Sequence, residues 1–251
     1  MNSTKLSTRQ VSDIGGIKNF FDDIAADYQE LHGKPSALLA YRISIITSLL
    51  GAGGGTLLEI GCGTGIHLFA LTEHFDQLIG TDLSPRMIDT AEGRRTTHAK
   101  RDAIKFVVDS AENLCSVAAE QVDCVLCVGA FEHMLDKDLV LAQVKRVLKS
   151  GGVFICLTPN AHYIWYRWVG PLLGCDTQHL STDRFLSQAE IRDLLVAADF
   201  VPRTLGYWRF VPRGDMAHWL ASLLGVADVV GLSLNISGLR GGIYFNAVKP
   251  R

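Results

Sequence analysis

The chain lacks an excess of charge of either sign. Among its 251 residues, 24 are Lys or Arg and 26 are Asp or Glu, so the formal net charge at pH 7 is −2. Proteins that bind duplex DNA or bulk RNA usually carry a basic surface that complements the phosphates. We therefore expect no nucleic-acid partner. The sequence also contains no Asn-Pro-Pro-Tyr motif, which would have suggested methylation of RNA.

The chain also lacks a long apolar run without charge. Its most apolar stretch, residues 216–234, is interrupted by His218 and Asp228 and contains glycines, which makes it a poor membrane span. Residues 1–16 are polar, lack the apolar segment of a signal peptide and are expected to be flexible. These features favour a cytoplasmic protein and leave open a peripheral contact at the inner face of the membrane.

The cysteines do not suggest a disulfide framework. Most of the six lie in predicted apolar strands or in a glycine loop, which fits a reducing compartment. Cys124 and Cys127 form a C-x-x-C pair, but positions i and i+3 of a strand face opposite sides of a sheet. We therefore expect both thiols to pack in the core and not to bind zinc or act in redox chemistry.

Size and periodicity favour one α/β domain, which we assign to residues 17–251. Hydrophobic residues make up 48% of the chain, enough to bury one substantial core. Between residues 56 and 158, predicted strands and helices alternate five times, which indicates a parallel sheet with helices on both faces. Predicted helices over 20–30 and 36–50 form an N-terminal cap within residues 17–50.

The most informative motif is a glycine loop after the first predicted strand. Residues 57–65 read Leu-Leu-Glu-Ile-Gly-Cys-Gly-Thr-Gly. Alternating glycines let the backbone turn sharply and approach a ligand closely, and nucleotide-like ligands bind at this edge of a parallel sheet. The third glycine comes one residue too early for the dinucleotide fingerprint. The carboxylate of Glu59 also suits a cationic amino group better than a pyrophosphate.

Acidic residues follow the next two predicted strands. Asp82 ends the strand over 77–81, and an acid about 20 residues after the glycine loop is placed to accept the hydroxyls of a ribose. The strand over 105–108 ends at Asp109, which is followed by Ser110 and Ala111. These positions indicate a nucleoside-bearing ligand.

Together with the run R-V-L-K-S-G-G over 146–152, these motifs resemble those of the class I S-adenosylmethionine-dependent methyltransferases. The resemblance implies a Rossmann-like, doubly wound α/β fold with seven strands in the order 3-2-1-4-5-7-6, strand 7 being antiparallel. It also implies methyl transfer with S-adenosylmethionine as the cofactor. The implied cofactor-binding residues are Tyr28, Glu59, Gly61, Cys62, Gly63, Gly65, Asp82, Leu83, Met87, Asp109, Ser110, Ala111, Val128 and Gly129.

The resemblance also implies which part of the cofactor each residue faces. The glycine loop and Tyr28 would lie at the methionine end, with Glu59 orienting the loop. Leu83 and Met87 would enclose the adenine, and residues 109–111 would meet its edge. Val128 and Gly129 would lie beside the sulfonium and its methyl group.

Two histidines are candidates for the base that a hydroxyl acceptor requires. His133 follows the fourth predicted strand by a few residues and lies at the rim of the cleft, although it can instead serve to pack or hydrogen-bond the loop. His179 lies in a segment similar to the T-x-H-x-x-x-x-F region of quinone-type enzymes, which lines the acceptor pocket. The alternative for that segment is an ordered loop with Asp183 and Arg184 as surface charges.

No metal is expected. Ubiquinone-pathway O-methyltransferases often read E-x-x-E-H at this place, and these three side chains can gather a divalent cation. Here Gly129 stands at the first position, and Glu132 and His133 alone make a poor metal site. This departure argues against assigning the chain to that particular enzyme.

Insertions at 159–186 and 212–238 are expected on the acceptor side. Their aromatic and apolar residues favour a small, apolar or aromatic acceptor that is methylated at a hydroxyl oxygen. There are two alternatives. The protein can methylate nitrogen or carbon in a small metabolite, or it can be a non-catalytic partner protein that only binds S-adenosylmethionine. The helix over 216–234 can be a lid, a membrane contact or a dimer interface, so both a monomer and a homodimer remain open.

Overall fold

The fold is a sheet with helices on both faces. The computed structural model describes residues 8–26, 35–51, 53–174, 176–209, 218–234 and 236–251. The strands are β1 Thr56–Ile60, β2 Gln77–Asp82, β3 Ile104–Val108, β4 Val122–Val128, β5 Leu148–Pro159, β6 Val201–Trp208 and β7 Gly242–Val248. The helices are α1 Ile14–Ile24, α2 Pro35–Leu49, α3 Ile66–Ala70, α4 Pro85–Arg95, α5 Lys137–Val147, α6 Gly170–Leu172, α7 Gln188–Ala197 and α8 His218–Ser233.

The strand order confirms the predicted fold. The order across the sheet is β3-β2-β1-β4-β5-β7-β6. Strands β1 to β5 pair in parallel, whereas β7 runs antiparallel to both β5 and β6. Strands β1 and β4 are buried along almost their whole length, as expected for parallel strands that are covered on both faces.

Two hydrophobic clusters cover the two faces of the sheet. Cys124 belongs to the cluster beneath α2, α3 and α4, and Cys127 to the one beneath α5 and α7. This placement confirms that the two thiols of the C-x-x-C pair face opposite sides. Cys127 instead stands opposite Cys156 on the neighbouring strand β5, and both are fully buried.

The first helix differs from its predicted bounds. α1 begins at Ile14, before the expected start at residue 20, and ends at Ile24. The cause is Asp13, whose carboxylate accepts a hydrogen bond from the N–H of Gly16 at 2.8 Å and so caps the helix. Two glycines in the first turn lower the helix propensity, so this start resembles a polar tail in sequence.

Part of the segment that was expected to be flexible lies against the rest of the chain. The N–H of Arg9 donates to the carbonyl of His179, and the N–H of Ser181 donates to the carbonyl of Arg9, both at 2.9 Å. This pairing holds residues 8–13 beside the segment that contains both His179 and Asp183.

Helix α8 packs on the aromatic insertion after β5. Leu220 and Leu224 contact Tyr163 and Trp165, while Asp228 forms a buried ion pair with Arg240 at 2.9 Å. Within the described ranges, no helix combines the length and the hydropathy needed to cross a membrane.

The topology places a crevice at the carboxyl ends of β1, β2 and β4. Strands β1 and β4 are neighbours, but the chain leaves β1 toward β2 and leaves β4 toward β5. Ligands bind at such a reversal point in open α/β sheets because the two outgoing loops diverge there.

Candidate active site

The glycine loop forms one wall of this crevice. Gly61, Gly63 and Gly65 all have positive φ, at 65°, 52° and 77°, where only glycine is unstrained. A Cβ on Gly61 would lie 2.5 Å from the Cβ of Ala130, so the loop is also too close to its neighbour for a side chain. The backbone of the loop is therefore the surface that a ligand meets.

The crevice contains about 650 Å³ of empty space, counted together with the solvent at its open mouth. The predicted site residues that line it are Gly61, Gly63, Asp82, Leu83, Met87, Asp109, Ser110, Ala111, Gly129 and His133. Residues from four different loops are thus brought together, as expected from their positions at strand ends.

Other predicted site residues lie behind this surface. A Cβ on Gly65 would fall 2.6 Å from Cζ of Phe106, so this glycine is required by packing beneath the loop. Cys62 and Val128 are buried in the cluster under α3 and α4. Tyr28 lies outside the described residues.

Asp82 is held by the loops on either side of it. One carboxylate oxygen accepts the N–H of Gly63 at 2.8 Å, and the other accepts the N–H of Ser84 at 2.9 Å. Burial raises the pKa of Asp82 to about 6, although these two hydrogen bonds act in the opposite direction. At pH 7 the carboxylate is therefore ionised at the bottom of the cavity.

Both oxygens of the Asp109 carboxylate accept hydrogen bonds from its own loop. One oxygen accepts the N–H of Ser110 at 2.8 Å, and the other accepts the N–H and the hydroxyl of Ser116 at 2.8 and 2.6 Å. Asp109 therefore shapes the turn, and the turn presents Ser110 and Ala111 to the cavity.

Glu59 lies beneath the loop and not in the cavity. It is fully buried, and its Oε1 lies 2.8 Å from Nδ1 of His67. Its Oε2 has no hydrogen-bond partner in the described part of the chain. His67, which no sequence motif singles out, is also buried and holds this carboxylate behind the loop.

Helix α1, the first helix of the expected N-terminal cap, forms a roof over the cavity, and the sequence did not reveal which of its residues line it. Ile14, Ile17 and Phe21 line the cavity opposite the glycine loop. Asp22 fixes the helix in place, because its carboxylate accepts the hydroxyl of Ser84 at 2.5 Å. Apolar side chains therefore close the crevice on the solvent side.

His133 stands at one end of the cavity with its ring held by an acid. Its Nδ1 lies 2.6 Å from Oδ1 of Asp183, and both side chains are buried. Burial alone would lower the pKa of His133, but the hydrogen bond that the ring donates to Asp183 and the negative charge of Glu132 outweigh burial and raise it. The ring also meets Phe21 edge-on, with centroids 5.2 Å apart.

Asp183 is a buried acid, which corrects its interpretation as a surface charge. Its second oxygen accepts the N–H groups of His179 and Leu180 at 2.9 and 3.0 Å. Burial acts to raise the pKa of Asp183, but the hydrogen bond and charge of His133 and the two backbone bonds lower it overall. The tight turn that these bonds make removes the acid from solvent.

His179 lies beside His133 and not in the cavity wall. The two imidazole rings are 6.0 Å apart, and His179 also packs near Phe20 at 6.2 Å. The structure therefore brings both predicted histidines into one cluster, with His133 nearer the ligand surface.

Glu132 and Arg42 flank the backbone of Gly129. Glu132 is buried and accepts the hydroxyl of Thr158 at 3.1 Å. A Cβ on Gly129 would lie 3.8 Å from Nη2 of Arg42 and 4.0 Å from Oε1 of Glu132. Over the described residues, no three His, Cys, Asp or Glu side chains gather as a metal site would require.

The donor set fits S-adenosylmethionine. An ionised carboxylate, Asp82, faces the cavity at the end of β2, where it can accept a diol. The unpartnered Oε2 of Glu59 lies behind the loop, where it can attract a cationic amino group. Leu83 and Met87 add an apolar surface of the kind that adenine requires.

Comparison with known proteins agrees with this donor set. A family model described as a methyltransferase domain matches residues 58–156. A ubiquinone biosynthesis O-methyltransferase of Cereibacter sphaeroides is 30% identical over 206 residues, which cover 72% of this chain and 81% of that protein. A probable S-adenosylmethionine-dependent methyltransferase of Saccharomyces cerevisiae is 31% identical over 118 residues, which are 46% of this chain and only 40% of the yeast protein.

A solved structure supports the fold alone. Geranyl diphosphate C-methyltransferase from Streptomyces coelicolor, crystallised with S-adenosyl-L-homocysteine, superposes with a TM-score of 0.65 at 14% identity, covering 92% of this chain and 98% of that one. The sequence relationship, the strand order and the cavity lead to one conclusion. The chain belongs to the class I S-adenosylmethionine-dependent methyltransferases and is an enzyme that uses S-adenosylmethionine.

Proposed function

We propose that this methyltransferase methylates a hydroxyl oxygen of a small, largely apolar or aromatic acceptor. The observation that carries the proposal is the bond of 2.6 Å between His133 and Asp183 at the end of the cavity. Because Nδ1 is bound to the acid, Nε2 is the ring nitrogen left to take a proton from an acceptor. An oxygen acceptor needs such a base, since a hydroxyl must lose its proton during methyl transfer.

The chain would hold the cofactor through groups on three loops. Asp82 would accept the ribose hydroxyls, and Leu83 and Met87 would enclose the adenine. The backbone of Gly61 and Gly63 would face the amino-acid part. When bound, S-adenosylmethionine supplies a methyl group that its sulfonium has already activated.

His133 and Asp183 would move and stabilise the proton. Nε2 of His133 accepts the hydroxyl proton, and the resulting imidazolium is stabilised by the carboxylate of Asp183 through Nδ1. The raised pKa of His133 makes it a stronger base than a free imidazole. His179 would not take part directly, because Asp183 binds its backbone N–H and its ring lies outside the cavity wall.

The roof of the cavity supports an apolar acceptor. Ile14, Ile17, Phe21 and Met134 line the cavity, and the ring of Phe21 packs against that of His133. Burying an apolar acceptor there would expel water, which would otherwise compete for the proton and weaken the electrostatic contacts. The printed name of the Cereibacter relative, a ubiquinone biosynthesis O-methyltransferase, is consistent with such an acceptor.

Label transfer tests the proposed function. Purified protein is incubated with S-adenosylmethionine that carries a CD₃ group and, in separate reactions, with phenols, aliphatic alcohols, amines and isoprenoid diphosphates. We expect the label on phenol oxygen, with loss of transfer in His133→Ala and unchanged cofactor affinity. Label on nitrogen or carbon would support the alternative acceptors. Cofactor binding without any transfer would instead indicate a non-catalytic partner protein.

We also propose that the outer face of α8 makes a peripheral membrane contact. Trp219, Leu223, Val226 and Val230 follow helical spacing, and between 40% and 69% of each is exposed. Trp168 on the adjacent insertion is 64% exposed, and tryptophan is enriched at membrane interfaces. Of the three interpretations of this helix, the lid has least support, since no α8 residue lines the cavity.

Flotation with lipid vesicles distinguishes a membrane contact of α8 from a dimer interface. The protein is mixed with vesicles of phosphatidylglycerol and phosphatidylcholine, and its mass in solution is measured by light scattering. We expect flotation with the vesicles, lost in Leu223→Asp and retained in Val196→Asp, which adds the same charge to the exposed surface of α7. If the wild-type protein does not float with the vesicles and is a dimer that Leu223→Asp dissociates, this face is the dimer interface.

A further inference from the structure

A short segment before α1 pairs with the turn that ends in Asp183. We name this segment, residues 8–11, the N-terminal strap. Arg9 stands opposite Leu180 in a parallel bridge, and the backbone N–H groups of Arg9 and Ser181 each donate across it at 2.9 Å. The turn is thus held by a distant part of the chain as well as by its own hydrogen bonds.

Ser181 adds a side-chain clamp to this pairing. Its Oγ accepts the N–H of Val11 at 3.0 Å, and its hydroxyl donates to the carbonyl of Val11, also at 3.0 Å. One residue group further out, the hydroxyl of Thr8 donates to the carbonyl of Gln178 at 3.0 Å. Ser181 is exposed, so removing its hydroxyl opens no cavity in the core. Its side chain therefore serves to connect the strap with the turn.

The same turn fixes the carboxylate of Asp183. The N–H groups of His179 and Leu180 donate to its Oδ2, and the N–H of Asp183 donates to the carbonyl of Leu180 at 3.1 Å. Ser181 lies in the middle of this turn, so a shift of its backbone displaces the oxygen that lies 2.6 Å from Nδ1 of His133. Such a short, charge-assisted hydrogen bond weakens steeply when its distance or angle changes.

The turn depends on outside support because it lies in a loop. Residues 176–185 connect α6 to α7, and exposed loops open locally at a small cost in free energy. Leu180 is fully buried against Ile17 and Phe20 of α1, and the strap leads into the same helix through its cap at Asp13. The strap therefore joins the roof of the cavity to the acid that holds the ring of the proposed base.

We propose that the N-terminal strap, acting through Ser181, positions Asp183 so that His133 keeps its proton on Nδ1 and presents Nε2 to the acceptor. The inference rests on the proposed oxygen methylation, in which His133 is the base. Ser181 is a positioning residue, because it does not line the cavity and acts only through the carboxylate of Asp183.

Ser181→Ala tests the clamp, because it removes both side-chain bonds to Val11 and retains the backbone pairing. In the label-transfer reaction we expect kcat to fall about fivefold, the change that one net hydrogen bond corresponds to. The KM for the phenol and the affinity for S-adenosylmethionine should keep their wild-type values, since Ser181 lies outside the cavity wall. Ser181→Thr retains the hydroxyl and should restore kcat.

A double variant and the spectrum of His133 distinguish positioning from a general loss of structure. In protein that carries Asp183→Asn, adding Ser181→Ala should cause no further loss of kcat, because the acid through which Ser181 acts is already gone. In labelled protein with Asp183 intact, Ser181→Ala should speed the exchange of the Nδ1 proton of His133 with water. The reason is that the hydrogen bond protecting this proton opens more often.

Ser12→Ala is the matched control. Ser12 is exposed and follows the strap directly, and its Oγ lies 3.5 Å from Oδ2 of Asp13. The change removes the same hydroxyl from the same part of the chain and should leave both kcat and the exchange of the His133 proton unchanged. Circular dichroism and the affinity for S-adenosylhomocysteine establish that each variant is folded.

The outcomes separate this inference from the proposed function. If proton exchange in Ser181→Ala matches that of wild type, the role of the strap is refuted, whatever happens to kcat. An equal loss of kcat in Ser12→Ala, or a further loss from Ser181→Ala beside Asp183→Asn, would refute it as well. If Ser181→Ala speeds the exchange but wild-type protein transfers no label to oxygen, the positioning of Asp183 by the strap stands and oxygen methylation falls.

Discussion

Replacing Asp183 with Asn retains the shape of the side chain and removes its charge. In the native protein, Oδ1 lies 2.6 Å from Nδ1 of His133, and Oδ2 accepts the N–H groups of His179 and Leu180. The single oxygen of Asn can satisfy only the two backbone donors, so its NH₂ group must turn toward His133. Nδ1 would then accept a hydrogen bond, and the ring proton would move to Nε2.

The expected effect on catalysis is large and the effect on stability is modest. With its proton on Nε2, His133 could not take a proton from the acceptor, and general-base catalysis contributes about 10²–10⁴-fold to the rate. Because both backbone donors keep a partner, folding should lose only the charge-assisted part of one hydrogen bond, about 1–2 kcal/mol. The pKa of His133 should fall, since Asp183 is one of the groups that raise it against burial.

The stability difference between wild type and Asp183→Asn should depend on pH. The pKa of His133 is raised on folding, so its contribution is complete below the unfolded value and is lost as pH rises through the folded value. The pKa of Asp183 is lowered, so its contribution is present above its unfolded value and is lost as pH falls through the folded value. The difference in the free energy of unfolding should therefore be greatest at about pH 5 and smaller at about pH 9.

Long-range ¹H–¹⁵N correlation spectra read the tautomer directly in labelled protein. We expect the proton on Nδ1 of His133 in wild type at high pH and on Nε2 in Asp183→Asn. In the double variant with His133→Ala, the substitution at 183 should cause no further loss of kcat in the label-transfer reaction. Retention of the Nδ1 proton together with wild-type kcat in Asp183→Asn would refute the reasoning.

Further predictions concern Asp82 and the glycine loop. Asp82→Ala should weaken S-adenosylmethionine binding by about tenfold or more in calorimetry; unchanged affinity would reject its role. Since burial raises the pKa of Asp82 to about 6, the wild-type affinity should fall as pH drops through that value, and the Ala variant should not show this fall. Gly65→Ala should lower the free energy of unfolding by about 2–4 kcal/mol, because its Cβ would overlap Phe106 at positive φ. Gly93→Ala on α4, where the new Cβ has open space, should instead stabilise by about 0.5–1 kcal/mol in thermal unfolding; equal effects of the two substitutions would contradict this account.

The sheet could be predicted because its strands carry their signals locally. β1 and β2 are apolar runs that end in a glycine loop and an acid, so the order of motifs along the chain indicates the family and its strand order. The predicted strands over 77–81 and 105–108 agree with β2 and β3 to within one residue for the same reason. Strands that read as continuous apolar runs are typical of parallel sheets covered by helices on both faces.

The base and its partners could not be predicted in the same way. Asp183 is 50 residues from His133 in sequence, and nothing local distinguishes it from a surface acid. Its burial depends on a turn that closes on the N–H groups of His179 and Leu180. Arg42 on α2 likewise lies close to Gly129, which is far from it in sequence.

The start of the helix that forms the roof was missed for a different reason. Ile14 and Ile17 belong to a segment in which polar residues and two glycines obscure the start of a helix. The cap by Asp13, the contact of Asp22 with Ser84 and the packing of Ile17 and Phe20 hold that helix over the cavity. These contacts are tertiary or depend on a single residue, so periodicity alone does not reveal them.

A crystal structure of the protein with S-adenosylhomocysteine and 4-nitrophenol tests the central claim most directly. The measured quantity is the distance from the phenol oxygen to Nε2 of His133. The account predicts that the oxygen lies within hydrogen-bonding distance of Nε2, with Asp183 still bound to Nδ1. An oxygen placed away from His133, or an Nε2 that is turned to a protein acceptor, would contradict it.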